Sequence, residues 1–161
     1  MCWSMPVEYN IDFAKAVLEA VRRTYGPFDV MIFNDSFVKS ELIYLSEDKY
    51  AVVKISPVVA DIDGIHYASE NPTADRIHSD ADLFISKDGK TGAFIDAINS
   101  GNPLIFLTHI QSLHTNGLKS GFEVYKIAIE RLNHFYGDRI EWVKAEELVS
   151  KIADEYRSAN I

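Results

Sequence analysis

Two histidines, His109 and His114, stand close together in the stretch PLIFLTHIQSLHTNG, residues 103–117, with Asn116 just beyond the second. An imidazole ordinarily titrates near neutrality, so it can give or take a proton from a bound substrate, and it can also ligate a metal. The apolar run before His109 reads as a strand, which puts the histidine at the strand's carboxyl end. In parallel α/β folds that end carries the ligands and the catalytic groups. The same position also suits a histidine that does no more than bond a neighbouring carbonyl. His114 and Asn116 would share the following loop, where they could bind a hydroxyl-rich ligand or simply face water.

A second group of reactive side chains lies upstream in HSDADLF, residues 78–84. His78, Asp80 and Asp82 are of types that ligate a divalent metal or orient a histidine. If the segment is extended, alternation places Asp80 and Asp82 on one side. Plain surface acidity is the competing reading.

The elements that must position these groups begin with a helix. Asn10 can cap it, and Ala14, Val17, Leu18 and Val21 fall at i, i+3, i+4 and i+7, with Gly26 and Pro27 to stop it. FDVMIF has the composition of a buried strand. ELIYLS and YAVVKISPVV, separated by a polar turn, predict a hairpin-like excursion. Residues 61–82 are rich in Asp, Asn, Ser, Pro and His, and read as a long functional loop.

Phe94, Ala97 and Ile98 then make one helical face, with Gly101 placed just past its end. After the strand that ends at His109, Ser120 and Glu123 form the S-x-x-E of a capping box. Phe122, Tyr125, Ile129, Leu132 and Tyr136 follow at helical spacing. IEWV predicts a short strand, and Leu148, Ile152 and Tyr156 the inward face of a last helix. The predicted fold class is therefore α/β: one domain over residues 1–161, mostly parallel strands with outer helices.

The formal net charge of −8 over 161 residues, with no Lys/Arg cluster, argues against nucleic acid as a partner. The single cysteine, Cys2, excludes an intramolecular disulfide. No stretch approaches a membrane span, and MCWSMPVEYN has neither the basic start nor the apolar core of a signal peptide. The expected location is cytoplasmic, or extracellular if the chain is a portion of a longer polypeptide. The glycine patterns of nucleotide-binding loops and of the hydrolase nucleophile elbow are missing, and the serine of NDSF lacks the flanking glycines.

DADLF, a helix, then SGNPLIFLTH resembles the last two motifs of the polysaccharide deacetylase family, the chitooligosaccharide deacetylase-like barrel. There a D-x-x-D-W precedes a helix and a G-x-I-I-L-x-H strand. WSMPVEYN is similar to the family's R-x-P-Y segment, with Pro6 and Tyr9 retained. The resemblance implies a partial or distorted (β/α) barrel, of which this chain is the C-terminal portion. It also implies that His109 is the general acid toward the leaving amine and that Asp82, better aligned than Asp80, orients it. Family members activate a water with a divalent metal such as zinc, nickel or cobalt.

The sequence departs from the family at Ser4, where an arginine is expected, and at Phe84, where a tryptophan is expected. The T-F-D-D-G and H-S/T-x-x-H metal motifs are missing from their expected place before Pro6. ADIDG and IHSDAD echo them, but in the wrong order.

The expected activity is divergent deacetylation of N- or O-acetylated sugars. It would require a metal held by His66, His78 or His114 with nearby aspartates, or completion by another chain. The alternative is a non-catalytic carbohydrate-binding or assembly module, with Trp3, Tyr67, His114 and Asn116 at the sugar and self-association through an open sheet edge. A third reading is an independent three-layer flavodoxin-like protein with a small-molecule site at the strand ends.

Overall fold

The computed structural model describes residues 11–33, 39–57 and 73–159, the side chain of Asn116 excepted. The helices are α1 (Ile11–Tyr25), α2 (Ala74–Phe84), α3 (Ala93–Asn99), α4 (Ile110–His114), α5 (Ser120–Tyr136) and α6 (Ala145–Ala159). The strands are β1 (Val30–Phe33), β2 (Glu41–Leu45) and β3 (Ala51–Ile55). The class is α/β. The chain divides into two compact units, Met1–Pro57 with Trp142–Ile161, and Val58–Glu141. Asn10, with any capping role, lies outside the described residues, as do Trp3, Tyr67, His66, Pro6, Tyr9 and most of the segment expected as a long loop.

In the first unit the three strands form one sheet in the order β1-β3-β2, with β1 parallel and β2 antiparallel to β3. The hairpin read from ELIYLS and YAVVKISPVV is present. Its turn is closed by Ser46, whose carbonyl accepts the Lys49 amide at 2.9 Å and whose hydroxyl accepts the Tyr50 amide at 2.9 Å. Helix α1 buries Ala14 and Leu18 with Val17 and Val21 beside them, the face its spacing predicts, against Val30 and Val52. Gly26, at φ +103°, ends it. Ala51 and Val53 alternate to the other side of β3 and are also fully buried. That face belongs to α6, which packs on all three strands.

The inward residues of α6 are Val149 and Ala153; Leu148 and Ile152 are half-buried and Tyr156 is exposed. The predicted face is therefore rotated by one position. Both sides of an amphipathic stripe carry apolar residues here, and the smaller pair is the one that lets the helix approach the sheet.

In the second unit, α2 packs against α3 and α5, and α4 against α5. The core is Ala81, Phe84, Ile85, Phe94, Ile95, Val124, Tyr125, Ala128 and Leu132. Phe84 meets Tyr125 at 4.9 Å and Phe94 at 5.2 Å between ring centroids, and Phe106 stacks on Tyr125 at 5.6 Å. Such aromatic pairs add about 0.5–1.5 kcal/mol each to the area they bury.

Three expectations are corrected between residues 74 and 143. Residues 74–84 are a helix rather than a loop. Thr73 caps it, its hydroxyl accepting the Arg76 amide at 3.2 Å, and Ile77, Ala81 and Phe84 supply the core-facing spacing. Residues 103–109 do not form a strand: only Phe106 makes an isolated bridge, and Leu104 and Phe106 act as core side chains on extended backbone. IEWV likewise has no strand pairing. Among the described residues the strands make one three-stranded sheet, and a closed barrel is not formed.

Candidate functional site

His109 is the residue that introduces α4, and His114 is the residue that ends it. Both side chains are exposed. The backbone fixes both ends of this one-turn helix, since the His109 carbonyl accepts the Leu113 amide at 3.3 Å and the His114 carbonyl accepts the Lys119 amide at 2.9 Å. The two histidines thus flank a short helix instead of sharing a strand-end loop, and His109 sits at a helix start rather than at the end of a paired strand. Asn116 lies in the adjoining 3₁₀ turn, Thr115–Gly117.

The segment also carries buried hydroxyl residues. Ser112 and Thr115 are buried, Thr115 completely. The Thr115 hydroxyl donates to the Ser112 carbonyl at 3.1 Å and accepts the Gly121 amide at 3.1 Å, which joins α4 to the first turn of α5. Thr115 achieves this in the left-handed conformation, φ 44° and ψ 59°. For a β-branched residue that conformation costs about 1–3 kcal/mol and persists only where the surroundings enforce it.

The enforcing contact is Gly121. A Cβ there would lie 1.7 Å from the Ser112 carbonyl oxygen, so the two helices meet backbone to backbone. The buried hydroxyl oxygens of Thr108 and Ser120 have no hydrogen-bond partner among the described residues. Unpaired buried hydroxyls are costly, and they mark this segment as one whose polar groups are not all satisfied internally.

Asp82 is held elsewhere. Its carboxylate receives Arg131 Nη1 at 2.6 Å, and the same nitrogen donates to the Ile85 carbonyl at 2.7 Å. Arg131 is 13 % exposed and Asp82 40 % exposed, so the pair is a half-buried tie between α2 and α5. On a helix, residues two apart point roughly 200° away from each other, and the structure separates Asp80 from Asp82 accordingly. Asp80 is buried, with both carboxylate oxygens 2.8 Å from Arg76 Nε. The shared side expected for the two aspartates came from reading the segment as extended.

His78 is exposed on α2. No group of three or more His, Cys, Asp or Glu side chains is arranged to hold a metal among the described residues. The donors present there do not fit the ion that the resemblance implies.

No family model, curated protein or solved structure matches the chain significantly. The chemistry of the segment therefore follows from its own side chains. Two exposed imidazoles can donate and accept hydrogen bonds.

Two residues of this region escape a reading by sequence. Arg131 has the look of a solvated helix residue, and only its position next to the buried Ala128 and Leu132 hints otherwise. Thr115 gives no signal beyond the turn-forming Asn-Gly that follows it. In addition, no helix is long and apolar enough to cross a membrane among the described residues.

Proposed function

We propose that the chain is a carbohydrate-binding domain of the polysaccharide deacetylase-like type, which holds a hydroxyl-rich sugar at the segment from Thr108 to Ser120. The observation that carries this reading is the placement of His109 and His114. Two exposed imidazoles bracket a single backbone-fixed turn. Sugars are recognised through such fans of donors and acceptors, and a fixed turn lowers the ordering cost of binding. The partial (β/α) barrel implied by the resemblance is part of the same proposal.

Binding stands ahead of hydrolysis because Asp82, the residue expected to orient His109 for proton transfer, is engaged by Arg131. In a deacetylase the acid must be aimed at the leaving nitrogen, and a carboxylate held in a structural ion pair does not supply that aim.

The test is titration of the protein with tri-N-acetylated chito-oligosaccharide, followed by calorimetry and by acetate release with and without added zinc. Binding without acetate release, weakened about ten-fold (roughly 1.4 kcal/mol) in both His109→Ala and His114→Ala, supports the binding module. Acetate release that disappears in Asp82→Asn would restore the enzyme reading. Saturation that neither histidine variant affects places the sugar elsewhere.

A further inference from the structure

We propose that Thr115 is the positioning residue of this segment: its hydroxyl, bridging the Ser112 carbonyl and the Gly121 amide, sets the relative placement of His109 and His114. The inference rests on the binding reading of those two histidines. The bridge takes in the last turn of α4 on one side and the first turn of α5 on the other. Thr115 also closes α4, its own amide donating to the Gln111 carbonyl. His114 is thereby held at both flanks, by Thr115 directly after it and by the Lys119 amide on its carbonyl at 2.9 Å. His109 starts the same turn, with its carbonyl on Leu113. A turn of five residues has too few internal bonds to hold its own geometry, so the hydroxyl bridge that ties its end to a long helix contributes to where its histidines point.

The left-handed backbone at Thr115 supports a positioning role. Glycine or asparagine would adopt that conformation more easily. A threonine there gives up conformational ease for a hydroxyl that accepts the Gly121 amide, an amide of the first turn of α5 that the helix itself leaves unpaired.

Three variants separate the hydroxyl from the backbone. Thr115→Val keeps the shape and removes the hydroxyl. Thr115→Ser keeps the hydroxyl. Thr115→Gly removes the hydroxyl but relieves the backbone, so it folds even if the valine variant does not.

The readouts are the imidazole ¹⁵N–¹H resonances of His109 and His114, the affinity for tri-N-acetylated chito-oligosaccharide, and the urea midpoint. The expected result is displaced histidine resonances in Thr115→Val and Thr115→Gly, with affinity lowered about ten-fold and both restored in Thr115→Ser. Wild-type histidine resonances in folded Thr115→Gly would overturn the proposal, as would unchanged affinity there. If the unmodified protein binds no oligosaccharide, the binding reading fails, and the histidine resonances alone decide the role of Thr115.

Discussion

Arg157 makes hydrogen bonds to three acceptors on different parts of the first unit. Its Nη2 lies 2.6 Å from Asp29 Oδ1, its Nη1 2.8 Å from Asp154 Oδ1, and its Nε 3.0 Å from the Lys49 carbonyl. Asp29 Oδ1 in turn accepts the Ala51 amide at 2.8 Å. The bonds from Asp29 and Asp154 hold the guanidinium still more firmly protonated than usual. Arg157→Met is expected to cost about 2–3 kcal/mol in urea unfolding, since it strips a charged partner from a shielded carboxylate. Asp154→Ala, at a 66 % exposed carboxylate, should change stability by no more than about 0.5 kcal/mol. Equal losses in the two variants would show that the clasp is not centred on Asp29.

Asp88 gives a pH-dependent counterpart. The Ser86 hydroxyl and the Lys90 amide donate to it and hold its carboxyl below the ordinary 3.8. A group depressed in the folded state contributes fully above its unfolded value and loses that contribution as pH falls through the folded one. The Lys90 amide resonance should accordingly titrate with a midpoint below the ordinary 3.8, and the movement should vanish in Asp88→Asn. A midpoint well above that value would contradict the assignment. At this scale the apolar run that leads into His109 was legible in the sequence. The partner of Asp82 was not, because a long-range ion pair leaves no local pattern.

Elements were legible where periodicity and punctuation agreed. The apolar spacing of α1, its stop at Gly26, the β2–β3 hairpin and α3 with Gly101 after it all follow from short-range rules. Residues 103–109 misled because an extended segment that packs Leu104 and Phe106 into a helical core has the same apolar composition as a strand. What separates the two is the hydrogen-bond partner, which lies elsewhere in the chain. The S-x-x-E pattern misled in a different way. The residue before α5 is Lys119 at φ 58°, and Ser120 is already helical. The Glu123 amide that a capping Ser120 would satisfy goes instead to the Lys119 carbonyl at 3.2 Å, and Thr115 takes the Gly121 amide, which it can reach because Gly121 brings α5 against Ser112. Gly121→Ala should therefore cost at least about 2 kcal/mol by urea denaturation. A loss within about 0.5 kcal/mol would mean that the two helices can separate without penalty.

At the scale of the whole chain, each of the two units has its own centre of burial, one at β3 and one along α5. Native-state hydrogen exchange is expected to show two groups of slow amides, at Val52–Val53 and from Val124 to Leu132. A single slow group confined to one unit would contradict this. The division was hidden from the sequence because its two ends belong together: apolar patterning reports what each segment buries, and says nothing of which distant segment receives it.

The first unit is discontinuous in the chain, and that has a consequence for synthesis. Asp29 and Arg157 are 128 positions apart. As the polypeptide leaves the ribosome, the sheet emerges first, the entire second unit follows, and α6 comes last. Throughout that interval Ala51 and Val53 lack the helix that covers them, leaving AVVKI, a short strand rich in β-branched residues, open to pairing with other nascent chains. The wait for α6 is the stage of this protein's life at which a chaperone has most to protect.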